Sequence, residues 1–139
     1  WQALAQGSAV PLAAGENLRG HDAFATALRA RYLRYVQPDV GKWGGISGAR
    51  EVASLAAANA AVTCPHWLAG GVGLAASLHM LAAVGAANSV MEVDANPNPL
   101  REELCPLALV DGAVALGDAP GIGIEPDLAR LARYRIAVG

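Results

Sequence analysis

The chain has 139 residues, of which 54% are hydrophobic and 16% charged, with a formal net charge of −2 and a pI near 5.9. The arginines are dispersed and Lys42 is the only lysine, so there is no basic footprint for nucleic acid. The longest apolar stretch, Val72 to Ala87, is shorter than the roughly 20 residues of a membrane span and is broken by glycine and histidine, which argues against a membrane partner.

In chain order, Trp1 to Gln6 reads as the tail of a helix closed by Gly7, as though cut from a longer chain. No charged segment leads into an apolar core, so no signal peptide is visible. Ala9 to Gly15 is the first strand, ending at Glu16-Asn17, and Gly20-His21-Asp22 turns into a helix from about Asp22 to Arg31 with Phe24, Ala27, Leu28 and Arg31 on one face. Tyr32 to Val36 is aromatic and β-branched and stops at Pro38, a strand leading to Asp39. Gly44-Gly45 forms a tight loop, and Ser47 is the expected N-cap of a helix ending near Asn59.

Ala61 to Cys64 is a short buried strand closed by Pro65-His66. The stretch Gly70-Gly71-Val72-Gly73 leads into a helix from about Leu74 to Val84, and Ser89 to Val93 is the fourth strand. Strand and helix thus alternate through four βα units, which implies parallel pairing. The alternation then stops. Leu107 to Val110, Asp111-Gly112 and Ala113 to Leu116 read as a hairpin with a type I′ turn. Pro126 opens a last helix through Arg135.

The residues able to do chemistry stand at the ends of those strands. Glu16, Asp39, His66 and Glu92 are 23, 27 and 26 residues apart, close to the roughly 30 residues per βα unit of a (β/α)₈ barrel, whose sites lie at strand C-termini. Glu16 follows a glycine where the backbone can approach a ligand; alone it reads equally as a solvated loop carboxylate or an N-cap contact. If adjacent strand ends bring them together, Asp39 orients the His66 imidazole, giving a general base or acid. Lys42 either pairs with a site carboxylate or reaches solvent, and is kept with Asn17 as a supporting residue. His21 at a helix start and His79 inside a helix are read as structural. The Gly70–Gly73 run could bind an anion at a helix N-terminus, but lacks phosphate-loop spacing and lysine, so room for a tight loop is the preferred reading. Cys64 and Cys105 lack CxxC spacing and are read as buried thiols, which fits a cytoplasmic protein.

Taken in order, Gly15-Glu16-Asn17, Pro38-Asp39 with Lys42 and Gly44-Gly45, Pro65-His66, Glu92, Asp111-Gly112 and Pro120-Gly121-Ile122-Gly123-Ile124 resemble the enolase superfamily, in its mandelate racemase/muconate lactonizing enzyme family. The resemblance implies an α/β fold, the C-terminal half of a TIM-type barrel (strands 5 to 8), over residues 1–100. Residues 101–139 would be a hairpin and helix packing on an absent N-terminal capping domain. It implies that Glu16 is one carboxylate ligand of Mg²⁺, and that Asp39 and His66 are the dyad moving a proton α to a carboxylate. Glu92 would then hydrogen-bond the substrate carboxylate as charge develops. Aspartate at position 39, in place of lysine, points to the racemase and acid-sugar dehydratase branch.

The substrate so implied is a small carboxylate, a sugar acid or α-hydroxy acid. Dehydration is the first reading, and racemisation or epimerisation, or a non-catalytic binding and assembly module, the alternatives. Because the other metal ligands and an opposite-face base are absent, the isolated chain is expected to be inactive. With open sheet edges and an apolar inner face, it is expected to form a homo-oligomer or join its missing half.

Overall fold

The structure, a computed structural model, describes residues 1–84 and 86–137; residues 138 and 139 of the expected C-terminal unit lie outside the described residues. A short helix α1 (Gln2–Gly7) precedes three βα units: β1 (Ala13–Ala14) and α2 (His21–Arg29), β2 (Tyr35–Val36) and α3 (Gly45–Ala58), β3 (Val62–Thr63) and α4 (Gly71–Val84). Beyond them come α5 (Pro99–Leu104), the pair β4 (Leu109–Val110) and β5 (Ala113–Val114), and α6 (Leu128–Leu131) running into a 3₁₀ turn over Ala132–Tyr134.

The first three strands form a parallel sheet in sequence order, with Ala14 opposite Val36 and Val36 opposite Thr63. Further backbone bonds continue the ladder: Gln37 N–H to the Ala14 carbonyl (3.0 Å), Cys64 N–H to Val36 (2.9 Å) and His66 N–H to Pro38 (3.1 Å). Pro38 and Pro65 have no N–H to donate, so regular pairing ends at them, and the last bond of the ladder is the one from His66 to Pro38. All three strands are shorter than their composition suggests. Residues 9–12 lie on the sheet edge; there the Leu12 carbonyl accepts from the N–H groups of Arg34 and Tyr35, while Val10 turns its N–H and carbonyl to the Ser8 hydroxyl.

One face of the sheet is covered by α2 and α3. Phe24, Ala25, Ala27 and Leu28 form the buried stripe of α2, and Gly48, Ala49, Val52, Ala53 and Ala56 that of α3. Phe24, Leu28, Val36, Val52 and Ala56 form the core, with Trp43 packed on Phe24 at 5.6 Å between ring centroids. The small residues of α3 let it approach both β3 and its neighbouring helices closely. Helix α3 starts at Gly45, with Gly44 as its N-cap in the left-handed region, so Ser47 lies inside the first turn instead of capping it. Helix α4 starts three residues before the expected Leu74. A Cβ on its Gly73 would lie 1.9 Å from the Trp67 ring, so the glycine run is there for close approach.

The fourth expected strand is absent. Residues 89–93 belong to no sheet, and the backbone bond tying them toward β3 is a long one, from Glu92 N–H to the Pro65 carbonyl at 3.4 Å. Pro65 cannot return a bond, so no ladder forms there. The chain is fixed instead by buried Arg101, which donates to the Asp94 carboxylate (2.7 Å) and to the carbonyls of Asp94 (3.1 Å) and Asn96 (2.6 Å). The backbone N–H of Asn96, followed by Arg101, holds the Asp94 carboxyl below the usual carboxylate range.

Helix α5 was not anticipated, although its signal is in the sequence: Asn98 caps the Arg101 N–H, Pro99 occupies the first turn, and Glu102 accepts from the Asn98 N–H. The hairpin turn is as expected, with Asp111 (φ 50°) and Gly112 (φ 76°) both left-handed, as a type I′ turn requires. The last helix starts later than expected, because Asp127 caps the N–H groups of Ala129 and Arg130 and leaves Pro126 outside. No described helix is long and apolar enough to cross a membrane.

Candidate active site at the strand ends

Side chains alternate across a strand, so with Val36 and Thr63 buried on the sheet, the residues that follow them, Gln37 and Cys64, take the opposite side. Two residues further on come Asp39 and His66. The sheet therefore brings Asp39 and His66 to one rim, and Glu16 follows directly on the end of β1. Gly15, which precedes Glu16, has φ +139°, and a Cβ there would lie 3.0 Å from the Gln37 nitrogen. Only glycine lets β1 run this close to β2 at that level.

Asp39 is buried and occupied locally. Its Oδ1 accepts from the N–H groups of Gly41 (2.8 Å) and Lys42 (3.2 Å), and Oδ2 lies 3.7 Å from Lys42 Nζ. The expected hydrogen bond from His66 to Asp39 does not form. The turn amides lie two and three residues along the chain, and they take the carboxylate first. The carboxylate on His66 is that of Glu92, with Nδ1 and Oε2 2.7 Å apart. With Glu92 ionised, Nδ1 carries the proton and donates, leaving Nε2 as the ring's open position.

Two residues at the rim went unread in the sequence. Gln37 donates its amide N–H to the same Glu92 Oε2, at 3.2 Å. Trp67 donates its indole N–H to the Gly70 carbonyl (2.7 Å), and its ring fills the space beside Gly41 and Gly73, wedging the Asp39 loop against the start of α4. Each is adjacent in sequence to a rim motif, Gln37 opening Gln-Pro-Asp and Trp67 following Pro-His. Neither has strand-end spacing of its own.

Glu16 belongs to a second cluster. Its Oε1 accepts from Asn17 Nδ2 (3.0 Å) and its Oε2 from the Gly15 N–H (3.2 Å), while Lys42 Nζ donates to Asn17 Oδ1 (3.2 Å). Lys42 thus bridges the Glu16 and Asp39 loops. Mg²⁺ takes about six oxygens in octahedral geometry, and among the described residues no group of three or more His, Cys, Asp or Glu side chains could hold a metal. These residues do not by themselves fit the ion.

The remaining sequence-read groups fall away from the rim or beneath it. His79 Nδ1 donates to the Ala75 carbonyl within α4 (2.9 Å), a structural role, and His21 pairs with Asp22 at 3.4 Å. Cys64 is a buried free thiol whose pKa is pushed up by burial first and then by the Glu92 charge, so it stays protonated near neutrality. Cys105 is free and half-buried, and burial raises its pKa too. A 480 Å³ cleft at the opposite ends of the strands, between the Val10–Leu12 and Arg31–Arg34 segments, carries no carboxylate or imidazole.

Comparison with known proteins agrees with this architecture. The sequence matches the family described as enolase C-terminal domain-like over residues 1–130. The chain is 34% identical over 139 residues to D-galactarolactone cycloisomerase of Agrobacterium fabrum, covering 94% of this chain and 37% of that protein. It is 31% identical over 137 residues to D-galactonate dehydratase of Xanthomonas axonopodis pv. citri, covering 94% and 36%. A solved mandelate racemase/muconate lactonizing enzyme from Bordetella bronchiseptica superposes with a TM-score of 0.90 at 51% identity, over 97% of this chain and 38% of that one. The chain thus spans little more than a third of the length of the relatives it matches. It belongs to the enolase C-terminal domain-like family and carries part of the TIM-type barrel of the mandelate racemase/muconate lactonizing enzymes.

Proposed function

We propose that this chain is part of an enolase-superfamily enzyme that removes a proton α to the carboxylate of an acid sugar, as a dehydratase. The observation that carries the reading is the rim itself. Backbone pairing sets Asp39 and His66 at neighbouring strand ends, and Glu92 holds the imidazole by Nδ1. An imidazole fixed by one nitrogen presents the other to a substrate, the arrangement general acid–base catalysis needs.

In this reading His66 Nε2 takes the α-proton, and the pair of electrons left behind forms an enediolate on the carboxylate. Asp39, held by its loop amides and Lys42, supplies fixed negative charge at the neighbouring strand end. In dehydration the β-hydroxyl then leaves with a proton from His66, and the enol ketonises to a 2-keto-3-deoxy acid. Glu16 would be one carboxylate ligand of Mg²⁺, with the rest of the ligand set lying outside this chain. The 139 residues alone are accordingly expected to turn nothing over.

A second reading, an isomerase with the same first step, is favoured by the cycloisomerase among the relatives. Both readings are tested by incubating the full-length protein with a panel of sugar acids in D₂O and following ¹H NMR. A 2-keto-3-deoxy product supports the dehydratase. Conversion of the substrate to an isomer without loss of water supports the isomerase. No exchange, conversion or turnover with any acid sugar overturns the proposal.

A further inference from the structure

We infer that Gln37 is a positioning residue for Glu92, and through it for His66; the catalytic sense of this rests on the function proposed above. Asp39 and His66 reach the rim at strand ends whose backbone bonds fix them. Glu92 does not. It sits on residues 89–93, which pair with no strand and lean on β3 through one long bond to the Pro65 carbonyl. What fixes its carboxylate is a pair of side-chain bonds converging on a single oxygen. Oε2 accepts from His66 Nδ1 at 2.7 Å and from Gln37 Nε2 at 3.2 Å, across 26 and 55 residues of sequence.

The two donors are not equivalent. His66 changes its charge during the proposed reaction as it gains and loses a proton at Nε2, so its hold on Oε2 changes with each step. Gln37 keeps its hold. Its backbone N–H is bonded to Ala14 in the ladder, its neighbour Val36 is fully buried, and Pro38 on its other side has a fixed φ. Its amide has no charge to change with pH, so it holds Oε2 through every protonation state of the imidazole. Without Gln37, Glu92 would follow the imidazole freely, and the tautomer of His66 would no longer be set from the sheet.

The test uses the full-length protein with Gln37→Met, which keeps length and volume without the donor, and Gln37→Glu, which keeps the shape but replaces the N–H donor by a carboxylate. Two readouts are taken: the ¹⁵N chemical shifts of the His66 ring in the substrate-free protein, and kcat against KM on the acid sugar that the wild type converts. For a folded Gln37→Met we expect the Nδ1 and Nε2 shifts to move toward an averaged tautomer mixture, with kcat falling about tenfold while KM stays within about twofold. Gln37→Glu should move the His66 shifts further, because a second carboxylate then crowds Glu92.

Wild-type His66 shifts in either folded variant would overturn the inference, whatever the activity. If the shifts move but the wild type acts on no acid sugar, the positioning stands and the proposed function fails. Unchanged shifts with a working wild type would reject the positioning alone.

Discussion

The two parts of the chain hold their residues by different means. From residue 9 to residue 84 the backbone does the placing. Parallel pairing, two strand-ending prolines and a core of Phe24, Leu28, Val36, Val52 and Ala56 bring Asp39 and His66 to the rim. From residue 86 onward there is no parallel ladder among the described residues, and side chains take over. Arg101 gathers the carbonyls of Asp94 and Asn96, Glu103 takes Arg130 and Arg133, and Glu92 is tied by Gln37 and His66. The first kind of placement tolerates changes of exposed side chains. The second depends on a few named bonds.

That contrast can be broken most forcefully in the core. Phe24→Ala removes the largest fully buried side chain from between α2 and the sheet, and is expected to cost about 3–5 kcal/mol in urea denaturation of the full-length protein. The rim would be lost with it. Gly73→Ala is expected to cost about 1–3 kcal/mol, since its Cβ would sit within the Trp67 ring and push apart the Asp39 loop and α4.

Arg101→Met should be selective. Hydrogen exchange of amides 94–104 should quicken, while Gln37, Cys64 and His66 amides keep their protection, because those are held by the ladder. Equal loosening of both sets would show that the two regions are one cooperative unit.

The smallest expected effect is that of acid. The Asp94 carboxyl is held below its ordinary value, so its contribution is complete above about pH 4 and is lost as pH falls through the lowered folded value. Protection of the Asn96 amide, followed by exchange corrected for intrinsic rate, should be flat down to that point and then fall. A loss already complete near neutrality would contradict the ion pair.

Much of the sheet was legible because proline and glycine speak locally. Pro38 and Pro65 mark where pairing must stop, and Asp111-Gly112 dictates its own turn. Ser89-Val90-Met91-Glu92-Val93 has strand-like composition, but pairing needs a partner with a free N–H, and Pro65 has none; composition carries no information about the neighbour. Helix α5 was equally legible in Asn98-Pro99 and simply lies where the βα rhythm ends. At the rim, spacing identified the residue types, but which carboxylate meets His66 depends on the loop amides of Gly41 and Lys42, which engage Asp39. Gln37 was invisible for the same reason, since its significance lies in a contact 55 residues away.

The most direct test of the account replaces His66 by asparagine in the full-length protein and measures exchange of the substrate α-proton with D₂O, using an acid sugar that the wild type converts. Loss of exchange by about 10²–10⁴-fold, in a folded protein that still binds the acid, is the predicted result. Exchange at the wild-type rate would contradict the assignment of proton transfer to the rim on this chain.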